Sequence, residues 1–458
     1  MRNRFFLSRA WLPAILLAAL IFVFPSCQNN DPVVDPEFIK LKQALENIAG
    51  VSSIEANPDT AAVRQKAEGK LDYKAQCSLL FTQDLDHNTE GGETFQQRVC
   101  IVFRGFDRPT ILVTHGYFWP SFKDATDLGI NLNANLVHVE HRNFGVSTNS
   151  DFGTWNYQTT KQAAADLHAV FKALKAVFPG KWISSGTSKN GENSMCYAYY
   201  YPNDMNLAIS FCSPFMTSLD DQRFGNYLFE KVGSPAHRDL MRQGITQALT
   251  DGEDGLYKDF CQMMEAKGER PPVFAEFVFN LFDTYFQTFQ YTPDHAQRQQ
   301  ILANYVAHSD SLITGIYGYL DTNRQDRFYP YFVECAKQLG WLNEGYAYFG
   351  HLLQGTSFRK EDVLPSILRG QDKELVNTYD GAMYQELLNN FFPSPTCPLL
   401  LFYAHDDPWI AGAPPQLGQN AKMIVNPMGK HSSDLNDPNL CPPAIKQEVM
   451  DYVNACLN

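Results

Sequence analysis

From Pro109 onward, short apolar runs alternate with helical patterns, and between Phe215 and Pro395 that alternation stops. Pro109–Thr114, Asn135–Val139, Lys181–Ser185 and Leu207–Cys212 have the length of buried strands. Between the second and third of these, Leu167, Val170, Phe171, Leu174 and Phe178 recur at helical spacing until Pro179-Gly180 ends the run. Asn193–Tyr201 predicts the next helix. The rhythm resumes with strands at Pro398–Tyr403 and Met423–Asn426, followed by a helix over Ala444–Leu457. Such an order predicts a mainly parallel, doubly wound sheet. The block 215–395 is too long for a loop, and Leu240, Ile245, Ala248 and Leu249 give it helical spacing. The expected organisation is therefore one α/β domain, residues 41–214 and 396–458, split by a helical lid over 215–395. An antiparallel hairpin is predicted over residues 77–103, from the apolar stretch Ser78–Phe81 through a loop rich in Asp, Asn and Gly to Arg98–Phe103.

The first residues are set aside as a leader. Arg2, Arg4 and Arg9 precede an apolar run from Ala10 to Phe24, and Ser26-Cys27 follows. This reads as an export signal over residues 1–26. A Cys at the end of the run resembles the bacterial lipoprotein signal, although Phe24-Pro25 replaces the usual Leu-Ala or Leu-Ser. That resemblance implies a lipidated Cys27, a polar tether over residues 27–40 and a bacterial membrane as partner. The nine cysteines after Cys27 show no CxxC or Cys/His spacing, so they are expected to be structural and no metal or cofactor is expected. The net charge of −13 and the absence of a basic patch argue against nucleic acid.

Chemistry concentrates at Gly186-Thr187-Ser188-Lys189-Asn190-Gly191, between a predicted strand and a predicted helix. In that setting a serine on a sharp turn becomes an exposed nucleophile, with an acid after a late strand and a histidine near the C-terminus. This is the order of an α/β-hydrolase fold. Asp406-Asp407 follow the strand ending at Tyr403, and Gly429-Lys430-His431 follow the next. Ser188 and His431 are thus the candidate nucleophile and base, with Asp407 or Asp406 as the acid and His405 as a weaker competitor for the base. An oxyanion hole needs two N–H donors. Lys189 is expected to supply one, and Gly116 or Tyr117, just after Thr114, the other. Asn190 stands where Gly is usual, a residue type that tolerates positive φ.

The residues then resemble a known group. Phe95-Gln96-Gln97-Arg98, Glu140-His141-Arg142-Asn143-Phe144-Gly145, Gln162-Ala163-Ala164-Ala165-Asp166 and Asp221-x-Arg223-Phe224 resemble landmarks of proline-directed serine peptidases. With Gly180-Lys181-Trp182, Asp407-Pro408-Trp409 and Gly429-Lys430-His431, the chain is most similar to the secreted bacterial prolyl tri/tetrapeptidyl aminopeptidases. The resemblance places the acid before Pro-Trp, which favours Asp407. It implies release of short peptides from free N-termini by cleavage after proline, with proline-containing peptides as substrates. A carboxylate is then wanted for the substrate ammonium. Glu140, Glu192, Asp220 and Asp221 are candidates, each with an alternative structural role, and Trp409 is a candidate substrate contact. An esterase of the same fold, or a catalytically silent binding lipoprotein, remains open at this point.

Overall fold

The computed structural model describes residues 35–58, 73–118, 127–148, 155–432 and 434–458. The leader, Cys27 and most of the expected tether lie outside the described residues. Nine strands form one sheet in the order β1-β2-β3-β5-β4-β6-β7-β8-β9. They are β1 (Val51–Pro58), β2 (Ala75–Asp84), β3 (Thr94–Phe103), β4 (Thr110–Thr114), β5 (Asn135–Val139), β6 (Trp182–Thr187), β7 (Leu207–Phe211), β8 (Leu399–Ala404) and β9 (Ala421–Asn426). The first three are antiparallel, and β3 meets β5 antiparallel. All pairings from β5 to β9 are parallel. This is the α/β-hydrolase fold. The expected hairpin is β2–β3, in register from Ala75↔Phe103 to Asp84↔Thr94.

The parallel strands read as continuous apolar runs because both faces are covered. Alternate residues of one strand serve opposite cores: Leu112 joins Leu399 and Leu401 on one face, while Ile111 and Val113 join Leu400 and Phe402 on the other. Helices α1 (Pro36–Glu46), α3 (Thr160–Leu174) and α4 (Lys189–Tyr200) cover the first face. Helix α2 (Asp127–Leu132) and the C-terminal helix Pro443–Leu457 cover the second. Helix α1 corrects the expected tether, since residues 36–40 form its first turns and Phe38, Leu41 and Leu45 are buried. Asp35 caps it and Pro36 stands in its first turn, both start signals that the tether reading passed over.

Between β7 and β8 there is no strand among the described residues, only helices and the turns and loops that join them. The longer lid helices are α5 (Arg223–Glu230), α6 (Pro235–Leu249), α7 (Leu256–Ala266), α8 (Phe274–Tyr291), α9 (His295–Ala307), α10 (Ser309–Asn323) and α11 (Tyr329–Glu334). Helix α8 is buried along nearly its whole length, with Glu276, Asn280, Asp283 and Gln290 buried among its aromatic residues. Phe282, Tyr285, Phe286 and Phe289 are completely buried there. The lid and the first face of the sheet share one continuous hydrophobic cluster. The nine cysteines are all unpaired thiols, seven of them buried.

Sheet topology also locates the site. The chain order reverses between β4 and β6, so the loops after these two strands open a crevice. One carries Gly116 and Tyr117, the other Ser188.

Candidate active site

Ser188 joins β6 to α4 with φ 60° and ψ −134°. A non-glycine residue held at positive φ is strained and persists only where its surroundings fix it. Here the Ser188 amide donates to Phe211 O at 2.8 Å, and Ser213 Oγ donates to Ser188 O at 2.7 Å. A Cβ on Gly186 would lie 2.4 Å from the Asn190 backbone, so the turn admits only glycine there. Asn190 itself lies within α4 and is not among the positive-φ residues. The strain sits on Ser188, and the expectation for Asn190 is corrected. What Asn190 contributes is its side chain, whose Oδ1 accepts the Gly116 N–H at 2.6 Å and so ties the loop after β4 to the turn. Gly116 therefore commits its amide to Asn190, and of the two candidate second donors Tyr117 is left.

At the other side of the crevice, Asp407 caps the short helix Pro408–Gly412. Its Oδ1 accepts the Trp409 amide at 3.2 Å, and its Oδ2 pairs with His431 Nδ1 at 2.7 Å. Asp407 is fully buried and the His431 side chain nearly so. His431 Nε2 has no hydrogen-bond partner among the described residues, and His431 lines the same cavity as Ser188. Asp406 points elsewhere, to Arg298 of α9 at 2.7 Å and to the Gly233 amide at 3.2 Å. His405 is half-exposed and pairs with Asp406. Of the candidate acids and bases, Asp407 and His431 are thus the two that pair beside the cavity lined by Ser188. Behind them lies Cys212, whose thiol is pushed well above its ordinary range by burial and by Asp407. Cys212, Asp407 and His431 are the one group of three potential metal ligands among the described residues, their atoms within 4.8 Å of one another. The Asp407–His431 hydrogen bond accounts for two of the three.

Ser188 and His431 open into a cavity of about 460 Å³ roofed by the lid, within the range that holds small ligands. Trp409, Phe279, Tyr319, Phe328, Tyr331 and Trp341 make much of its wall aromatic. Trp409 is fixed on three sides: Phe224 and Phe286 pack edge-on against its ring, and its Nε1 donates to Gln290 Oε1 at 3.0 Å. Gln290 also accepts the His431 amide on its backbone oxygen at 3.0 Å. Sequence reasoning missed Gln290 because a polar residue in an aromatic helix carries no motif.

Charges around the cavity are few. Lys189 reaches past Tyr117 to Glu334 of α11, an ion pair of 2.9 Å buried on both sides. Gln158 Nε2 donates to the same Glu334 oxygen at 3.1 Å, while His141 Nε2 lies 3.9 Å from it. Burial and the Lys189 ammonium lower His141 to about 4. Glu192, one turn beyond Ser188, accepts a hydrogen bond from Tyr384 of the lid, and burial raises it to about 8. Asp283 of α8, absent from the sequence-based candidates, also lines the cavity and is raised to about 6 by burial.

The remaining candidate acids lie elsewhere. Glu140 does not line this cavity; it pairs with Arg98 at 3.1 Å and accepts from Ser147 Oγ at 2.7 Å. Gly145 packs so closely on that carboxylate that an added Cβ would stand 2.2 Å from Oε1. Asp221 is held by Arg223 and the Thr217 amide, while Asp220 pairs with Lys360 at 2.6 Å in a separate cavity. Glu140, Asp220 and Asp221 are therefore braces, and of the four only Glu192 lines the cavity with Ser188.

Residues 34–269 match the family model of the PS-10 peptidase S37. The chain belongs to this family. The matched span covers the turn that carries Ser188 and the start of the lid, whereas Asp407 and His431 lie beyond it. A relative that continues through them is the prolyl tri/tetrapeptidyl aminopeptidase of Streptomyces mobaraensis, 25% identical over 454 residues, covering 93% of this chain and 87% of that one. Among solved structures, proline iminopeptidase of Mycobacterium smegmatis is 14% identical, with a TM-score of 0.36 over 82% of this chain and 98% of that one. A thermophilic esterase from Thermogutta terrifontis is 13% identical, with a TM-score of 0.36 over 82% and 99%. The protein is thus an S37 serine peptidase of the hydrolase class, and its fold is established by its own sheet order.

Proposed function

We propose that the protein removes tri- or tetrapeptides from free N-termini by cleaving after proline, through an acyl-enzyme on Ser188. The observation that carries this reading is the meeting of Ser188 with the hydrogen-bonded Asp407–His431 pair on one lid-covered cavity of about 460 Å³. A roofed cavity of that size suits a short peptide rather than a through-running polypeptide. The activity for which the Streptomyces mobaraensis relative is named supports the same substrate class.

In this mechanism His431 Nε2 takes the Ser188 proton as Oγ attacks the carbonyl carbon of the proline residue. Asp407 holds the ring tautomer and stabilises the imidazolium. The tetrahedral oxyanion is received by the Lys189 and Tyr117 amides, which the Asn190–Gly116 bond and the Lys189–Glu334 pair hold in place. His431 then protonates the leaving amine, and the acyl-enzyme is hydrolysed by water activated in the same way. Trp409 and the aromatic wall offer the apolar surface that a prolyl ring requires.

Fluorophosphonate labelling and kcat/KM on Ala-Ala-Pro anilide against p-nitrophenyl esters test the reading. Labelling lost in Ser188→Ala, with the anilide strongly preferred, is the expected result. Turnover of esters alone would make it an esterase, and no labelling would make it a binding protein.

The leader pattern supports export and lipidation of Cys27, placing the enzyme on a bacterial membrane. Palmitate incorporation that disappears in Cys27→Ser is the expected outcome, and incorporation that persists there refutes the assignment.

A further inference from the structure

The cavity is lined by two carboxyl groups, Glu192 and Asp283, and two basic groups, Lys189 and His431. Lys189 is committed to Glu334, and His431 to Asp407. Glu192 lies in the field of Lys189 and receives the Tyr384 hydroxyl. Asp283 differs. It is only 7% exposed, yet among the described residues no basic side chain pairs with it. Its partners are neutral amides, Gln287 Nε2 at 2.9 Å and Asn323. A carboxyl buried beside a cavity without a counter-ion is costly unless a cation arrives.

Its place in the lid sets a distance. Helix α8 is attached to the catalytic loops by Gln290, which accepts from the His431 amide and from the Trp409 indole. Asp283 lies seven positions earlier, about 10 Å along the axis at ~1.5 Å per residue. An extended peptide advances ~3.3 Å per residue, so about three residues span that length. Phe279, Gln287 and Tyr291, which line the cavity with Asp283, sit at near-helical intervals along the same helix.

Resting on the post-proline peptidase reading above, we infer that Asp283 binds the α-ammonium of the substrate's free N-terminus, and that α8 is the ruler limiting the released piece to three or four residues. The other acids do not compete. Burial raises Glu192 to about 8, and its carboxyl already receives the Tyr384 hydroxyl. Glu344, buried and near Asp283, is raised well above the carboxylate range by burial and then by Asp283. An incoming ammonium would pull Asp283 back from its raised value and leave it charged when loaded.

The test compares kcat/KM on Ala-Ala-Pro-p-nitroanilide with a free or acetylated N-terminus, in wild type, Asp283→Asn and Asp283→Ser, with melting curves to confirm folding. Wild type is expected to favour the free peptide by on the order of 10- to 100-fold, the contribution of a charged hydrogen bond. Either variant should bring that ratio close to one, mainly through KM, and relax the preference across one to five residues before the anilide. An unchanged ratio in both variants would overturn the assignment, as would a parallel fall on both substrates. If wild type cleaves free and acetylated peptides equally, ammonium recognition fails while the peptidase reading stands. If it cleaves no proline anilide, that reading fails first and this one with it.

Discussion

The floor and the roof of the cavity are built on different principles. On the sheet side, Ser188, Asp407 and His431 stand on turns at strand ends, each fixed by backbone hydrogen bonds and close packing. On the lid side, α8 and its neighbours offer aromatic surface with a few polar groups set into it. The floor has little freedom because a reacting geometry tolerates errors well below an ångström. The roof decides which peptide fits. On the proposed function, reaction class resides in the sheet edge and selection in the insertion.

The largest effect that would break this division is at the floor. Ser188→Ala should lower kcat by on the order of 10⁴- to 10⁶-fold while leaving the melting temperature nearly unchanged. Asp407→Asn should follow at roughly 10⁴-fold, because the amide favours the wrong His431 tautomer. Both are read from anilide hydrolysis beside a thermal melt.

Across the seam, Glu334→Gln leaves the Lys189 ammonium buried without its partner. Removing one member of such a pair costs about 3–5 kcal/mol, so calorimetry should show a clear drop in stability. Anilide kinetics should show a loss in kcat beyond it, because the proposed mechanism also uses the Lys189 amide for the oxyanion. A change in KM alone would place Glu334 with the roof rather than between the two regions.

The smallest effect is a pH dependence. Glu192 is raised to about 8 by burial, above its ordinary 4.5. Between those values the folded state holds a proton that the unfolded chain has lost, so this group makes stability fall as pH rises from about 4.5 to 8. His141, lowered from 6.5 to about 4, acts in the opposite sense and adds stability as pH rises between those two values. Glu192→Gln should therefore flatten the decline above pH 6.5, seen as a melting temperature that gains on wild type toward pH 8.

The floor was legible in the sequence because its devices are local. Glycines around a serine, an acid after an apolar strand and a histidine after the next each leave a short pattern. The strands of the parallel sheet lie within a residue or two of their expected positions, since buried strands must be continuous apolar runs. The roof left no such pattern. Asp283 reads in sequence as a polar interruption of Phe279, Phe282 and Phe286, and only the packing of α8 turns it toward the cavity. Glu140 failed as a substrate contact for a related reason. A carboxylate following a buried strand looks like a site until Arg98 and Ser147, from distant positions, are found to occupy it. Asn190 was misread because its role lies in what its side chain holds, whereas φ/ψ reasoning concerns only its own backbone.

Gln290 joins the two regions in one more respect. The backbone N–H of His431 is satisfied by a carbonyl of the lid, and Lys189, beside Ser188, is neutralised by a lid glutamate. A newly made chain, with its insertion not yet seated, has neither the base nor the elbow properly braced. On the proposed mechanism, proteolytic competence would therefore depend on a seated lid.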